Sequence, residues 1–355
     1  MKINYKEFVN TYSKNYRNSK FYPEFLKLKN KGLDNKKIKD ILKPKIGLTV
    51  YSWFNGKVPM PFKEFSKIKT EFDNEDLDYL AIIVGHIMGD GGITKQKFLQ
   101  YSNTEKFLID EFTYAMKKVF NAKPTTCYKE TSGITRLIYP RLYSRILFCL
   151  FGEFSFGRDS KNITLQIDKM PLNWKMKLLR AWYNDDGSVP ESGHYRCIAF
   201  KQKDKTLILW IQKTLEKVGI KSKLYKDGTT WHLRILNYIN MVKFKEKVGF
   251  SKGYRKQKHL NEIIKKIIVP HQKTKIKILK LLNEAPRTRK ELSKILKLKN
   301  GTIYGHLHGW KRSKKSKKKS TLGLLDMGLI KIKKNGKKHI YFLNKKNKSI
   351  KIVQM

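Results

Sequence analysis

Two aspartates, Asp90 and Asp186, stand in matching settings and are the residues of this chain best placed to do chemistry. Each follows an apolar stretch with helical spacing, and each is followed at once by a glycine, Gly91 or Gly187. The first stretch, Leu77 to Gly92, has no acidic or basic charge between Asp78 and Asp90. Apolar residues at 77, 80, 81, 84 and 88 share one helical face, and Ile82, Ile83 and Ile87 make the other sides apolar. A helix apolar all round is a buried one. Asp90 then falls at its C-terminal end, where the helix dipole disfavours an anion. An acid in that place calls for a cation, most simply a metal ion. The second stretch, Leu178 to Val189, ends in Asp186-Gly187 after apolar residues at 172, 176, 179, 182 and 183. One such helix could be an ordinary core helix with a glycine C-cap. Two of them, each followed by the same series of segments, predict a pseudo-twofold pair.

The elements that position these acids repeat along the chain. Gly85 and Gly89 cost a helix about 1 kcal/mol each relative to Ala, which makes sense where a second helix approaches the backbone closely. After Asp90 the pattern predicts a strand at Phe98–Ser102, a helix at Thr104–Phe120, strands at Thr125–Lys129 and Ile134–Tyr139, and a helix at Leu142–Phe151. After Asp186 the order recurs: strand Cys197–Lys201, helix Lys205–Val218, strands Ser222–Lys226 and Trp231–Leu236, helix Tyr238–Val248. Each half reads as an α+β unit whose antiparallel strands have one free face, rich in Lys, Arg, Thr and Tyr. A saddle-shaped sheet of this kind could lie along a DNA groove.

Smaller units flank the repeat. Residues 1–70 read as helices separated by turns at Gly32 and Pro44, the order of a helix-turn-helix, with Thr49 to Lys57 as recognition helix and exit and Pro59 and Pro61 as a linker. Residues 270–347 give three helical segments, Ile276–Leu282, Arg289–Leu296 and Gly301–Leu307. A hairpin about Asn335-Gly336, a strong two-residue turn, completes the composition of a winged helix. Lys311 to Lys319 holds seven basic residues, read either as a phosphate-binding run or as a solvated one. The expected domains are therefore 1–70, 75–168, 169–268 and 270–347.

The net charge of +49, from 78 basic against 29 acidic residues, exceeds anything solubility needs and points to a polyanion, most often nucleic acid. A membrane partner is not expected, because no apolar run reaches the ~18–20 residues of a spanning helix. No signal peptide is evident and the three cysteines, 127, 149 and 197, lack metal-ligand spacing, so they read as reduced core residues of a cytoplasmic protein. The eight histidines make no zinc constellation. The chain is expected to act as a monomer.

The two acid-glycine helices, Ile83-Val84-Gly85-His86-Ile87-Met88-Gly89-Asp90-Gly91 and Leu179-Arg180-Ala181-Trp182-Tyr183-Asn184-Asp185-Asp186-Gly187, resemble the motifs of single-chain, double-motif LAGLIDADG homing endonucleases of archaeal type. The resemblance covers about 190 residues, including the repeat order. It implies a two-part α+β fold with saddle-shaped antiparallel sheets. It also implies site-specific hydrolysis of both strands of a long, non-palindromic double-stranded DNA. On that resemblance Asp90 and Asp186 are catalytic metal ligands, and the backbone carbonyls of Gly89 and Asp185 are secondary ones. Mg²⁺, with Mn²⁺ able to substitute, suits such hard oxygen donors. Residues matching the family's water-organising positions are Ser102 and Asn103 in the first half, which has no lysine there, and Lys201, Gln202 and Lys203 in the second; Lys201 and Gln202 are assigned to catalysis. Expected DNA contacts are Asn103, Arg136, Lys203, Arg234, Lys57, Lys314 and Lys315.

His86 departs from the motif's apolar residue and reads as a buried histidine without a chemical role. Ala181 replaces a packing glycine and Asn184 the first acid of the consensus. The chain has no nucleophile at its start and no His-Asn-nucleophile ending, which argues against a protein-splicing context. Two alternatives accompany the endonuclease: a maturase whose partner is intron RNA, and a DNA-binding transcription regulator on the same core without nuclease activity. The two flanking DNA-binding units favour the regulator, and the retained acids argue against it.

Overall fold

The computed structural model describes residues 1–42, 47–155, 160–192, 195–268, 273–309, 323–335 and 338–344. The chain forms two compact units, Met1–Asp186 and Gly187–Met355.

The first unit opens with α1 (Tyr5–Asn10), a 3-10 segment (Lys14–Phe21), α2 (Tyr22–Asn30), α3 (Asn35–Leu42), α4 (Gly47–Phe54) and α5 (Met60–Phe65). Tyr22, Phe25, Ile38, Leu42, Val50 and Trp53 make a core of their own across α2, α3 and α4. The expected linker at Pro59 and Pro61 is instead the start of α5. Pro61 lies in its first turn and is buried. A proline costs nothing there because that N–H has no helical partner anyway. Tyr5 packs on Phe62 and Phe65, which ties α5 back to α1.

The rest of the unit is α6 (Asn74–Met88), β1 (Gly91–Ile93), β2 (Leu99–Asn103), α7 (Lys106–Phe120), β3 (Thr126–Lys129), β4 (Thr135–Tyr139), α8 (Arg141–Phe151), α9 (Leu165–Lys169) and α10 (Leu172–Asp186). A capping box starts α6: Asp76 N–H donates to Asp73 at 2.9 Å and Asp73 N–H to Asp76 at 3.0 Å. Helices α6 and α10 pack along their lengths. The Trp174 indole donates to the Leu77 carbonyl at 2.8 Å, and Lys177 pairs with Asp78. At Gly85 the helices approach closely: a Cβ would stand 2.4 Å from the Leu178 carbonyl oxygen and 2.7 Å from the Ala181 Cβ. The glycine is there for the second helix, as its poor propensity suggested, and Ala181 is small enough to complete the contact.

The second unit contains β5 (Gly187–Ser188), β6 (Glu191–Ser192), β7 (Tyr195–Arg196), β8 (Ile198–Gln202), α11 (Lys205–Lys217), β9 (Lys223–Asp227), β10 (Thr230–Ile235), α12 (Tyr238–Lys247), α13 (Arg255–Ile268), α14 (Lys273–Glu284), β11 (Arg287–Thr288), α15 (Arg289–Leu296), α16 (Asn300–His308), β12 (Ile330–Asn335) and β13 (Lys338–Leu343). The two four-stranded antiparallel sheets have equivalent orders, β1-β2-β4-β3 and β5-β8-β10-β9. This is the repeat that the sequence pattern predicts, and it makes the fold α+β. The three-stranded sheet β11-β13-β12 joins α14, α15 and α16, with Asn335 registered opposite Lys338. Gly336 and the basic run Lys311–Lys319 lie outside the described residues.

The cysteine reading needs correction. Cys197 is buried and Cys149 half-buried, but Cys127 is exposed, because every residue of β3 is exposed at the edge of its sheet. Helix α13 has no counterpart in the sequence reading.

Candidate functional site

Asp90 lies two residues beyond the last residue of α6 and is exposed. The Asn103 amide at the end of β2 donates to its Oδ2 at 2.8 Å. Asp186 is the last residue of α10, and the Trp182 indole donates to its Oδ2 at 3.0 Å. Burial, and after it the negative charge of Asp90, push the Asp186 carboxyl up to about 7, while Lys161 pulls it back. The acids that end α6 and α10 therefore act on one another electrostatically.

Asp185 has a different task. Its side chain is fully buried and accepts from Tyr101 at 2.8 Å, from His86 Nδ1 at 3.1 Å, and from the Asp90 backbone N–H at 3.3 Å. A Cβ at Gly89 would meet Asp185 Oδ2 at 2.3 Å, so this glycine makes room for the carboxylate. His86 is a hub. Its other nitrogen, Nε2, reaches Glu111 on α7 at 3.1 Å, and Glu111 also accepts from Asn184 at 3.0 Å. Burial disfavours the imidazolium, but the two flanking carboxylates outweigh it and raise His86 to about 10. His86 is thus a buried cation holding α6, α7 and α10 together, and both its ring N–H groups donate. The sequence reading of a buried histidine without a chemical role gave its burial but not its partners Asp185 and Glu111, and it singled out neither Tyr101 nor Lys161. An apolar motif position filled by histidine was the one available signal.

Lys161 belongs to the connection between α8 and α9. Its ammonium donates to the Met88 carbonyl at 2.9 Å and to the Gly89 carbonyl. A recess of about 140 Å³ beside Asp90 is lined by Gly91, Gly92, Ile93, Thr94, Gln100 and Ser102.

The other expected site residues are placed as follows. Asn103 and Ser102 are buried on β2, with Asn103 turned to Asp90. Lys201 is exposed on β8, one residue from Phe200, which is registered opposite Gly187. Gln202 follows it, and its side chain accepts from the Lys203 backbone N–H at 2.9 Å. Arg136 pairs with Glu130 at 2.6 Å and lies over Tyr128. Arg234 lies over Tyr225, and both tyrosines are exposed on the edge strands β3 and β9. Lys57 is exposed just beyond α4. Lys314 and Lys315 lie outside the described residues.

The donors near the two helix ends suit a hard divalent ion. The test is Asp186 itself: a carboxyl pushed to about 7 partly by a neighbouring carboxylate is a group that a nearby cation would return to its ionised form. Among the described residues no three His, Cys, Asp or Glu side chains cluster as a metal site.

Residues 173–249 match the family model of a LAGLIDADG-like domain, and residues 272–308 match the bacterial regulatory protein, arsR family, a helix-turn-helix model. An uncharacterized protein of Methanocaldococcus jannaschii is 26% identical over 143 residues, covering 37% of this chain and 18% of that one. The replicative DNA helicase DnaB of a Nostoc species is 24% identical over 203 residues, covering 52% of this chain and 23% of that one. The chain thus spans about a fifth of the length of these curated relatives, 18% and 23%. Among solved structures, full-length DUF199/WhiA from Thermatoga maritima aligns with a TM-score of 0.41 and 14% identity, over 66% of this chain and 90% of that one. A mesophilic variant from the homing endonuclease I-DmoI aligns with a TM-score of 0.38 and 13% identity, over 53% of this chain and 98% of that one. A structure of I-DmoI with DNA and Mn aligns at 0.36 and 13%, over 49% and 97%. The chain contains a LAGLIDADG-like domain followed by an arsR-like helix-turn-helix region. No helix among the described residues is long and apolar enough to cross a membrane.

Proposed function

We propose that this protein is a site-specific DNA endonuclease of the LAGLIDADG type that hydrolyses both strands of a long target with the help of Mg²⁺ or Mn²⁺. The observation that supports the reading is that α6 and α10 pack together and bring their acid-bearing ends into contact, with the Asp90 N–H donating to Asp185, the neighbour of Asp186, at 3.3 Å. In this reading 75–168 and 169–268 are the two halves of the core, and 1–70 and 270–347 are DNA-binding modules. The excess of basic charge serves phosphate contact. Asp90, Asp186 and the Gly89 carbonyl hold the metal. When bound, the ion lowers the pKa of water and stabilises charge on the leaving oxygen. Asn103 orients the Asp90 carboxylate and Trp182 that of Asp186. The His86–Asp185–Tyr101 network fixes the two helix ends against each other. The recess lined by Gln100 and Ser102 has room for a water beside Asp90. Lys201 and Gln202 on β8 are assigned to ordering water, and Arg136, Arg234, Lys203 and Lys57 to contacting DNA.

A second reading, a DNA-binding regulator without nuclease activity, is favoured by one observation. Lys161 already places a positive charge on the carbonyls that end α6. The two readings part in one assay. The protein is incubated with Mg²⁺ or Mn²⁺ and a plasmid carrying the uninterrupted form of the gene that hosts its reading frame. Linear product supports the enzyme. Intact plasmid with tight, specific and salt-sensitive binding supports the regulator.

A further inference from the structure

The acid at the end of α6 stands where the helix dipole is negative, with a second acid nearby, and the cation this structure brings to that place belongs to the chain. Lys161 is well anchored. Its backbone pairs with Ser155 in an antiparallel bridge, and the next residue donates from Asn162 N–H to the Phe154 carbonyl at 2.9 Å. Phe154 and Ser155 are both fully buried. From that base the side chain reaches back to two consecutive carbonyls, Met88 and Gly89, past the last turn of α6.

We propose that Lys161 is the resident cation of the paired helix ends, and that a divalent ion binds there only by displacing its ammonium from the Gly89 carbonyl. The inference rests on the metal-dependent reading above and deepens it by naming what the ion competes with. Two facts require competition. The Gly89 oxygen that accepts from the ammonium is also the oxygen proposed to bind the metal. An ammonium left in place would also repel a divalent ion held by Asp90 and Asp186 at short range. A lysine suits this exchange because its four-carbon stem lets the charge swing away while the backbone stays fixed. The acid pair is then never without a counter-charge.

The test uses the full chain, stripped of metal and free of DNA, with Tb³⁺ as the probe. The Trp182 indole donates to Asp186 at 3.0 Å, so Tb³⁺ on Asp186 should be sensitised by tryptophan excitation. Lys161→Met keeps the stem and removes the charge, Lys161→Gln keeps a donor for the carbonyls without charge, and Lys161→Arg keeps charge. The expected result is Tb³⁺ affinity at least tenfold tighter in the Met and Gln variants than in wild type. The Arg variant should stay close to wild type, and Asp186→Asn should lose the signal. Without metal the Met variant should melt below wild type, and excess Mg²⁺ should close most of that gap while quenching the Tb³⁺ signal. Equal affinity in wild type and in both neutral variants, with the signal still lost in Asp186→Asn, would overturn the exchange and leave the metal site standing. No sensitised binding in any variant would overturn the metal reading and the exchange together. The Gln variant keeps the test decisive if the Met variant fails to fold.

Discussion

Helix α6 stops at Met88 and leaves Asp90 two residues beyond it, exposed and supported by Asn103. Helix α10 runs on through Asp186, which is partly enclosed, supported by Trp182, and pushed up to about 7. The same acid-glycine signature thus produces two unlike acids. Gly89 accounts for much of the difference. At the matching place α10 has Asp185, whose buried carboxylate fills the space that a side chain at 89 would need. One helix has to end early so that the other can send a charge across it. The pair that results has one acid beside solvent and one that ionises reluctantly, and charges from elsewhere, His86 and Lys161, stabilise the arrangement.

The largest effect is expected on cleavage. Asp90→Asn and Asp186→Asn each remove a hard anionic ligand and keep the shape, so each should lower the rate of double-strand cutting by orders of magnitude; every 1.36 kcal/mol of lost transition-state stabilisation is about tenfold. Binding without metal should stay equal or tighten, because each carboxylate repels phosphate. Gel-shift and plasmid-cutting assays on the same preparations check both. If only one variant loses activity, the two ends do not form one site.

Next in size is the buried cation between them. His86→Phe leaves the Asp185 and Glu111 carboxylates facing an apolar ring, and breaking a buried ion pair by removing one partner costs ~3–5 kcal/mol. Urea unfolding should show that loss. A change under 1 kcal/mol would mean that Asp185 and Glu111 find water or protons instead. Gly85→Ala should cost less, ~1–3 kcal/mol as an overpacked helix contact, since its Cβ collides with the Leu178 backbone oxygen. Neutrality there would show that α6 and α10 slide apart easily.

Much of this was legible in the chain. The acid-glycine ends, the glycine at the helix crossing and the repeated order of strands and helices along the chain all come from local patterns, whereas β1 and β5, three and two residues long, are too short to leave one. The partners of the two ends leave none either. His86 meets Glu111 twenty-five residues on and Asp185 ninety-nine residues on. Lys161 comes from a connection with no periodicity at all. Lysine is common in this chain, so nothing marks this one. The sequence argues that an acid at a helix C-terminus calls for a cation, but it cannot say whether the chain itself would supply one. Pro61 misled for a related reason: a proline signals both a linker and the first turn of a helix, and only the packing of Phe62 and Phe65 on Tyr5 decides between them.

The smallest predicted effect separates the two acids in the metal-free protein. The folded-state pKa of Asp186 is about 7 against an ordinary 3.8, so the native state binds the proton more tightly than the unfolded chain between those values. Stability attributable to this group therefore falls as pH rises from about 4 to 7, and the penalty is present in full above 7. Asp186→Asn removes the penalty and keeps an oxygen to accept from Trp182. In EDTA at pH 8 that variant should melt higher than wild type, by about 2–4 °C for each kcal/mol relieved in a domain of this size. The gain should shrink as pH is lowered through 7 and be absent near 4. Asp90→Asn, at an exposed carboxylate, should show little of this trend, apart from the share that Asp90 itself contributes by repelling Asp186. Thermal melts of wild type and both variants at pH 4, 6 and 8 test the asymmetry. Equal gains from both variants would mean that the acids are equally burdened and that the difference between the two helix ends carries no energetic weight.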